Sequence, residues 1–161
     1  MESKNNQIAL QIAKHMHDVH FGGNWTVSNV KETLSNIQWN EALVQKENVN
    51  SIATLTYHIS YFVGVALNYL QSGKLEGDDK LSFNHPPIHS EEDWHMMTAH
   101  YLIQVEELVE EIKKLDDATL FLDFGDSKYG NYFRNLIGIV EHTHYHLGQI
   151  NLLRKLNRAE K

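Results

Sequence analysis

Residues 90–115 read SEEDWHMMTAHYLIQVEELVEEIKKL. Within them Trp94, Met97, Tyr101, Val105, Leu108, Ile112 and Leu115 recur at steps of three and four. An α-helix turns once in 3.6 residues, so this spacing gathers all seven apolar side chains on one stripe. Ser90 followed by Asp93 has the form of a capping box that opens the helix. A helix with one apolar stripe has to bury it against other helices.

The flanking sequence supplies those helices. A first helix is predicted over residues 5–20, with Ile8, Ile12, Met16 and Val19 on one face and Gly22-Gly23-Asn24 breaking it. A short helix over 27–37 keeps the period through Val30, Leu34 and Ile37. The second long helix spans 51–71, with Ile52, Leu55, Ile59, Phe62, Ala66 and Leu70 as its stripe and Ser72-Gly73 as its stop. Residues 76–89 form a loop in which Pro86-Pro87 forbids helix. After a loop over 116–129, the last helix covers 130–156. Four long amphipathic helices predict an all-α four-helix bundle, one domain over residues 1–161. The loop from the second long helix to the third is long enough for either an up-down-up-down or a crossover connection.

Composition narrows the chemistry. Hydrophobic residues at 42% and charged residues at 22% suit a globular chain rather than a disordered one. There is no cysteine, which excludes disulfides, thiolate zinc sites and a cysteine nucleophile together. Any metal must be held by imidazole and carboxylate, with water completing the shell. Residues 1–7 lack the apolar run of a signal peptide, and no run of about 18 apolar residues occurs. A cytoplasmic location without a membrane partner is therefore expected. A formal net charge of -7 with no evident basic face argues against a nucleic-acid partner. No H-E-x-x-H, P-loop or G-x-G-x-x-G motif is present. The unusual number is eleven histidines.

Three of these histidines lie on the last helix. His142 and His146 project about 40° apart on one face, one turn above the other, whereas His144 points about 160° away from both. The apolar arc of that helix is set by Phe133, Leu136, Val140 and Leu147, and the His142–His146 pair flanks it near Ile139, Ile150 and Leu153. Such a flank faces a seam between helices, where bundles build metal sites. Spacing alone does not decide the matter, since His85 and His89 share it across Pro86-Pro87. His58 sits one step off the centre of the second long helix's stripe. It reads either as a satisfied core histidine or as a third nitrogen ligand in the same kind of seam. Three nitrogens with open positions are the arrangement of a catalytic rather than a structural site.

Leu55-Thr56-Tyr57-His58-Ile59, followed far downstream by His142-Thr143-His144-Tyr145-His146-Leu147-Gly148-Gln149-Ile150, resembles the DinB-like metalloprotein superfamily. Its pattern is a histidine in the second helix and His-x-x-x-His in the last, often trailed by Gly-Gln-Ile. Phe21-Gly22-Gly23-Asn24-Trp25-Thr26 also resembles the Gly/Trp turn after helix one in many members. The resemblance covers nearly the whole chain and implies a four-helix bundle. It implies that His58, His142 and His146 hold a divalent ion such as nickel or zinc. Characterised relatives include thiol S-transferases and a thiol-dependent isomerase, others are assigned only by inference as metal-dependent hydrolases, and many have no known function.

The remaining candidates are weaker. His20, beside the Gly-Gly-Asn-Trp turn, is an accessory or substrate-facing candidate. His15 lies near the first helix's stripe, and His17 points away from it. His95 and His100 read as polar flank residues, and Trp25, Tyr57, Tyr61 and Trp94 as core or pocket lining. Gln149 and Asn135 are each placed to orient a ligand imidazole or touch substrate. Three functions remain open: a metal-dependent enzyme acting on a small molecule, of thiol S-transferase or hydrolase type; a non-catalytic metal-binding stress or sensor bundle; and an interaction module with structural histidines. The expected partner is a small-molecule substrate, and a homodimer is left open.

Overall fold

The computed structural model describes residues 5–159. Residues 1–4, part of the stretch read for a signal peptide, and 160–161 lie outside the described residues. The described chain is all-α: α1 Gln7–Phe21, α2 Val30–Ser35, α3 Trp39–Ala42, α4 Ile52–Ser72, α5 Glu91–Lys113 and α6 Tyr132–Ala159, with three short 3-10 turns and no strand. Among the described residues, no helix is long and apolar enough to cross a membrane.

Local signals set most of the boundaries. Ser90 Oγ accepts from the Asp93 N–H at 3.1 Å, and the Asp93 carboxylate reaches back to the His89 N–H at 2.8 Å, which together open α5. Ser51 caps α4 through the Thr54 N–H, and Gly73 ends it at φ 72 with its N–H on the Tyr69 carbonyl. Asn131 Oδ1 accepts from the Arg134 N–H at the start of α6.

The short helix predicted over 27–37 is corrected to α2, Val30–Ser35. Val27 stands at φ 65 and cannot begin a helix, while Asn29 takes the Glu32 N–H and so fixes the start. The α3 turn was not expected. Trp25, expected in the core or a pocket, is instead 99% exposed. Asn24 ties the turn together, accepting from the Thr26 N–H and donating to the Asp18 and Ser28 carbonyls, and Trp25 is left at its tip. Ile8 and Phe133, placed on apolar stripes by periodicity, lie at the ends of theirs and face outward.

The four long helices form a ring in which α5 and α6 each pack against both α1 and α4. His20 at the end of α1 meets Tyr101 in the first half of α5, and Asp117 just beyond α5 accepts from the Ile8 and Ala9 N–H groups at the start of α1. Those two helices therefore run in opposite directions. Tyr132 at the start of α6 meets Tyr69 near the end of α4, so these two also oppose each other. Gly64 and Gln104, about equally far into α4 and α5, are in contact, and α3 packs on both helices. The α4 and α5 helices are thus parallel. The connection between them, residues 73–90, is a crossover that returns along the length of α4, a rise of about 30 Å for its 21 residues. Its 3-10 turn, Asp79–Phe83, lies against α4.

The α5 stripe holds as read. Trp94, Tyr101, Val105, Leu108 and Ile112 are fully buried, and Met97 and Leu115 are packed against the same core. The Trp94 indole N–H donates to the Ile37 carbonyl at 2.9 Å, satisfying the one polar atom of the largest core side chain.

Candidate metal centre

His58 on α4 and His142 and His146 on α6 converge on one point, with ligating nitrogens all within 4.8 Å of one another. His142 Nε2 is 3.0 Å from both His58 Nε2 and His146 Nε2. His58 and His146 are buried and His142 is half-buried. The His58 ring centroid stands 4.8 Å from that of His142 and 4.9 Å from that of His146. Three nitrogens at about 2.0–2.1 Å from a tetrahedral ion lie roughly 3.3 Å apart, close to the 3.0 Å of the two pairs that His142 makes, and the His58–His146 pair lies within 4.8 Å.

The hydrogen bonds behind the rings decide what those nitrogens can do. The Ser82 hydroxyl donates to the Asp79 carbonyl at 2.6 Å, so at 2.8 Å from His58 Nδ1 it accepts the proton carried there. Gln149 Oε1 accepts from His146 Nδ1 at 2.7 Å. Both rings are thereby held in the tautomer that leaves Nε2 a bare lone pair. His142 has at most one proton at Nε2 to share between two such neighbours, so one lone pair faces another. A cation accepting all three lone pairs removes that conflict, and the donor set fits a divalent ion.

Burial is the first cause that holds all three imidazoles below the ordinary histidine range, with His142 lowered to about 4. For His58 and His142 the charge on neighbouring histidines adds to the effect, and Asp79 opposes it. All three are consequently neutral near pH 7, which is the ligating form. Aromatic rings surround them. Phe83 stacks on His58 at 4.1 Å, Phe62 stands edge-on to His58 and His142, and Tyr145 stands edge-on to His146.

Gln149 is placed as the sequence suggested. Asn135 does not reach a ligand imidazole: its amide donates to the Tyr129 and Asn131 carbonyls and fastens the start of α6, while the residue lines the cavity beside His142. Ser82 and Phe83 were missed, because nothing in residues 76–89 announces that their path crosses His58. Ser82 is a positioning residue. The Ser82→Ala variant is expected to weaken metal binding about 10–100-fold in a chelator-competition titration, while His95→Ala on the exposed flank of α5 leaves it unchanged.

His144 points away from the triad, within electrostatic reach of His15 on α1. His20 is a core residue rather than a substrate-facing one. It is 0% exposed, its Nδ1 donates to the Met16 carbonyl at 2.6 Å, and its Nε2 accepts from the Tyr101 hydroxyl at 2.7 Å. Burial pushes it down to about 4 from 6.5. Between those values the unfolded chain binds a proton that the folded chain refuses, so stability is full above pH 6.5 and falls as the pH drops toward 4. For this residue alone the loss is about 3 kcal/mol. The metal-free protein should therefore melt lower at pH 4.5 than at pH 7.5, and an unchanged Tm would contradict the neutral, buried assignment.

A groove of about 410 Å³ opens beside His142 along α6, walled by Arg134, Gly138 and Lys128. It shares Phe62, Tyr129, Asn135 and Ile139 with an adjoining chamber of about 310 Å³ between α4 and α6. The chamber is closed by Val65, Ala66, Leu75 and Phe124, with Asp79 in its wall.

Fold and site together define an all-α protein with a three-histidine centre that could hold a metal ion. No protein-family model, curated protein or solved structure matches the chain.

Proposed function

We propose that the protein is a metal-dependent enzyme acting on a small molecule, built as a four-helix bundle of the DinB-like kind. Its divalent ion, zinc or nickel, is held by His58, His142 and His146. The observation that carries this reading is the convergence of three Nε2 atoms, two of them with tautomers set by Ser82 and Gln149. A bound ion in such a site supplies Lewis acidity and lowers the pKa of water or a thiol. The chain's own part is to keep the imidazoles neutral and to fix their rings, through Ser82 and Gln149 and through contact with Phe62 and Phe83.

Three protein ligands leave coordination positions open, and the cavity beside His142 gives a substrate access to them. Both features favour an enzyme over a purely structural metal site. The reaction is thiol transfer to an electrophile, or hydrolysis. The substrate is a small molecule rather than a nucleic acid, consistent with the net charge of -7.

The test is turnover by zinc- and nickel-loaded protein against paired panels of thiols with electrophiles, and of hydrolysable esters and amides. Metal-dependent turnover in one panel, lost on chelation, is the expected result. One equivalent of bound metal with no turnover in either would move the assignment to a non-catalytic metal-binding bundle. Absence of stoichiometric metal would end both readings.

A further inference from the structure

The groove beside His142 has a polarity that the metal centre does not explain. Arg134, Gly138 and His142 stand on successive turns of α6, and all three line it. Eight residues of helix place Arg134 about 12 Å along the axis from His142. The Arg134 guanidinium makes no ion pair or hydrogen bond with any described residue. Lys128, the second cation in the wall, is shared with Asp126 at 3.4 Å and lies over the Tyr129 ring. In a chain of net charge -7, a free guanidinium and a nearby ammonium at one end of a cavity are a specific feature.

The middle of the groove is open for a definite reason. A Cβ on Gly138 would meet nothing within 4 Å, so the absent side chain leaves space between Arg134 and His142. The apolar chamber branches from that same stretch, behind Phe62 and Ile139. Asp79 in the chamber wall repels a second anion there, which confines negative charge to the Arg134 end.

We propose that this groove binds an elongated anionic amphiphile. Its carboxylate or other anionic group pairs with Arg134 and Lys128, and its apolar part fills the chamber. The groove assignment stands independently of the metal reading. Arginine suits the anion because its planar fork pairs with a carboxylate through two parallel hydrogen bonds. The chamber's volume is at the lower end of small-molecule sites, enough for a medium acyl chain or one aromatic ring.

The experiment is calorimetric titration of octanoate, with octylammonium as the charge-reversed control, into zinc-loaded and chelator-treated protein. The variants are Arg134→Gln and Gly138→Leu, with zinc content measured for each. Gly138→Leu adds a side chain into open space at a helical position where leucine is favoured over glycine, so folding is expected to be retained. Octanoate should bind one to one in both metal states and octylammonium should not. Arg134→Gln and Gly138→Leu should each weaken octanoate roughly tenfold or more while keeping wild-type zinc. Binding of both amphiphiles alike, equal octanoate binding across the variants, or no octanoate binding would overturn the proposal. So would octanoate binding that requires zinc and ignores Arg134→Gln, since the carboxylate would then sit on the ion. Wild-type protein that takes up no zinc yet binds octanoate as described would defeat the metal reading and leave the groove assignment standing.

Discussion

His142→Ala and His146→Ala are each expected to abolish stoichiometric metal binding, and His144→Ala is expected to retain it. The first two remove one of three nitrogens that meet within 4.8 Å, and the remaining pair cannot hold the ion against water and buffer. His144 shares the helix but faces α1, so it tests whether histidine content or geometry matters. Metal bound only to the folded chain stabilises it by about 2.7 kcal/mol when free metal is a hundredfold above Kd. For a chain of this size that is a rise of roughly 5–10 °C in Tm. Wild type and His144→Ala should show the rise on adding zinc, and the two ligand variants should not. His142 is half-buried, which makes His142→Ala the variant least exposed to a folding artefact. Equal metal retention in all three variants would end the triad assignment.

Trp94→Ala is expected to lose about 3–5 kcal/mol of stability, the largest effect of any single substitution in the core. Trp94 is 0% exposed, and its removal leaves a cavity where α5, α3 and the end of α2 meet. It also deprives the Ile37 carbonyl of its donor. Trp25→Ala is the matched control: the same residue type, 99% exposed, with an expected change within about 0.5 kcal/mol. Denaturant unfolding of the two variants checks both values. Comparable destabilisation would mean that the turn after α1 is covered in solution.

The contrast between these tryptophans marks what was legible in the amino-acid sequence. Trp94 belongs to a helical stripe seven members long, and its period alone assigns it to the interior. Trp25 sits in a turn, where no period applies and Asn24 decides the direction of the side chain. Helix ends closed by their own residues, at Ser51, Gly73 and Ser90, were readable. The start of α1 was readable to within two residues, but the partner of its Ile8 and Ala9 N–H groups was not, because Asp117 lies more than a hundred residues away.

The same division holds at the metal centre. His142 and His146 could be paired from helical geometry, and Gln149 followed one turn later. His58 needed the family resemblance to be chosen over other histidines. Ser82 and Phe83 arrive on the crossover from α4 to α5, whose route is set by the parallel packing of those helices and by no local motif. His20 shows the reverse error. Its position beside a glycine-rich turn suggested an accessory role, yet the Met16 carbonyl and the Tyr101 hydroxyl occupy both of its nitrogens.

The measurement that tests the central claim most directly is an anomalous difference map from crystals of the zinc-loaded protein, collected at the zinc absorption edge. A single strong peak about 2.0–2.1 Å from Nε2 of His58, His142 and His146 is the predicted result. Anomalous density at other histidines with none between these three, from protein carrying one equivalent of zinc, would contradict it.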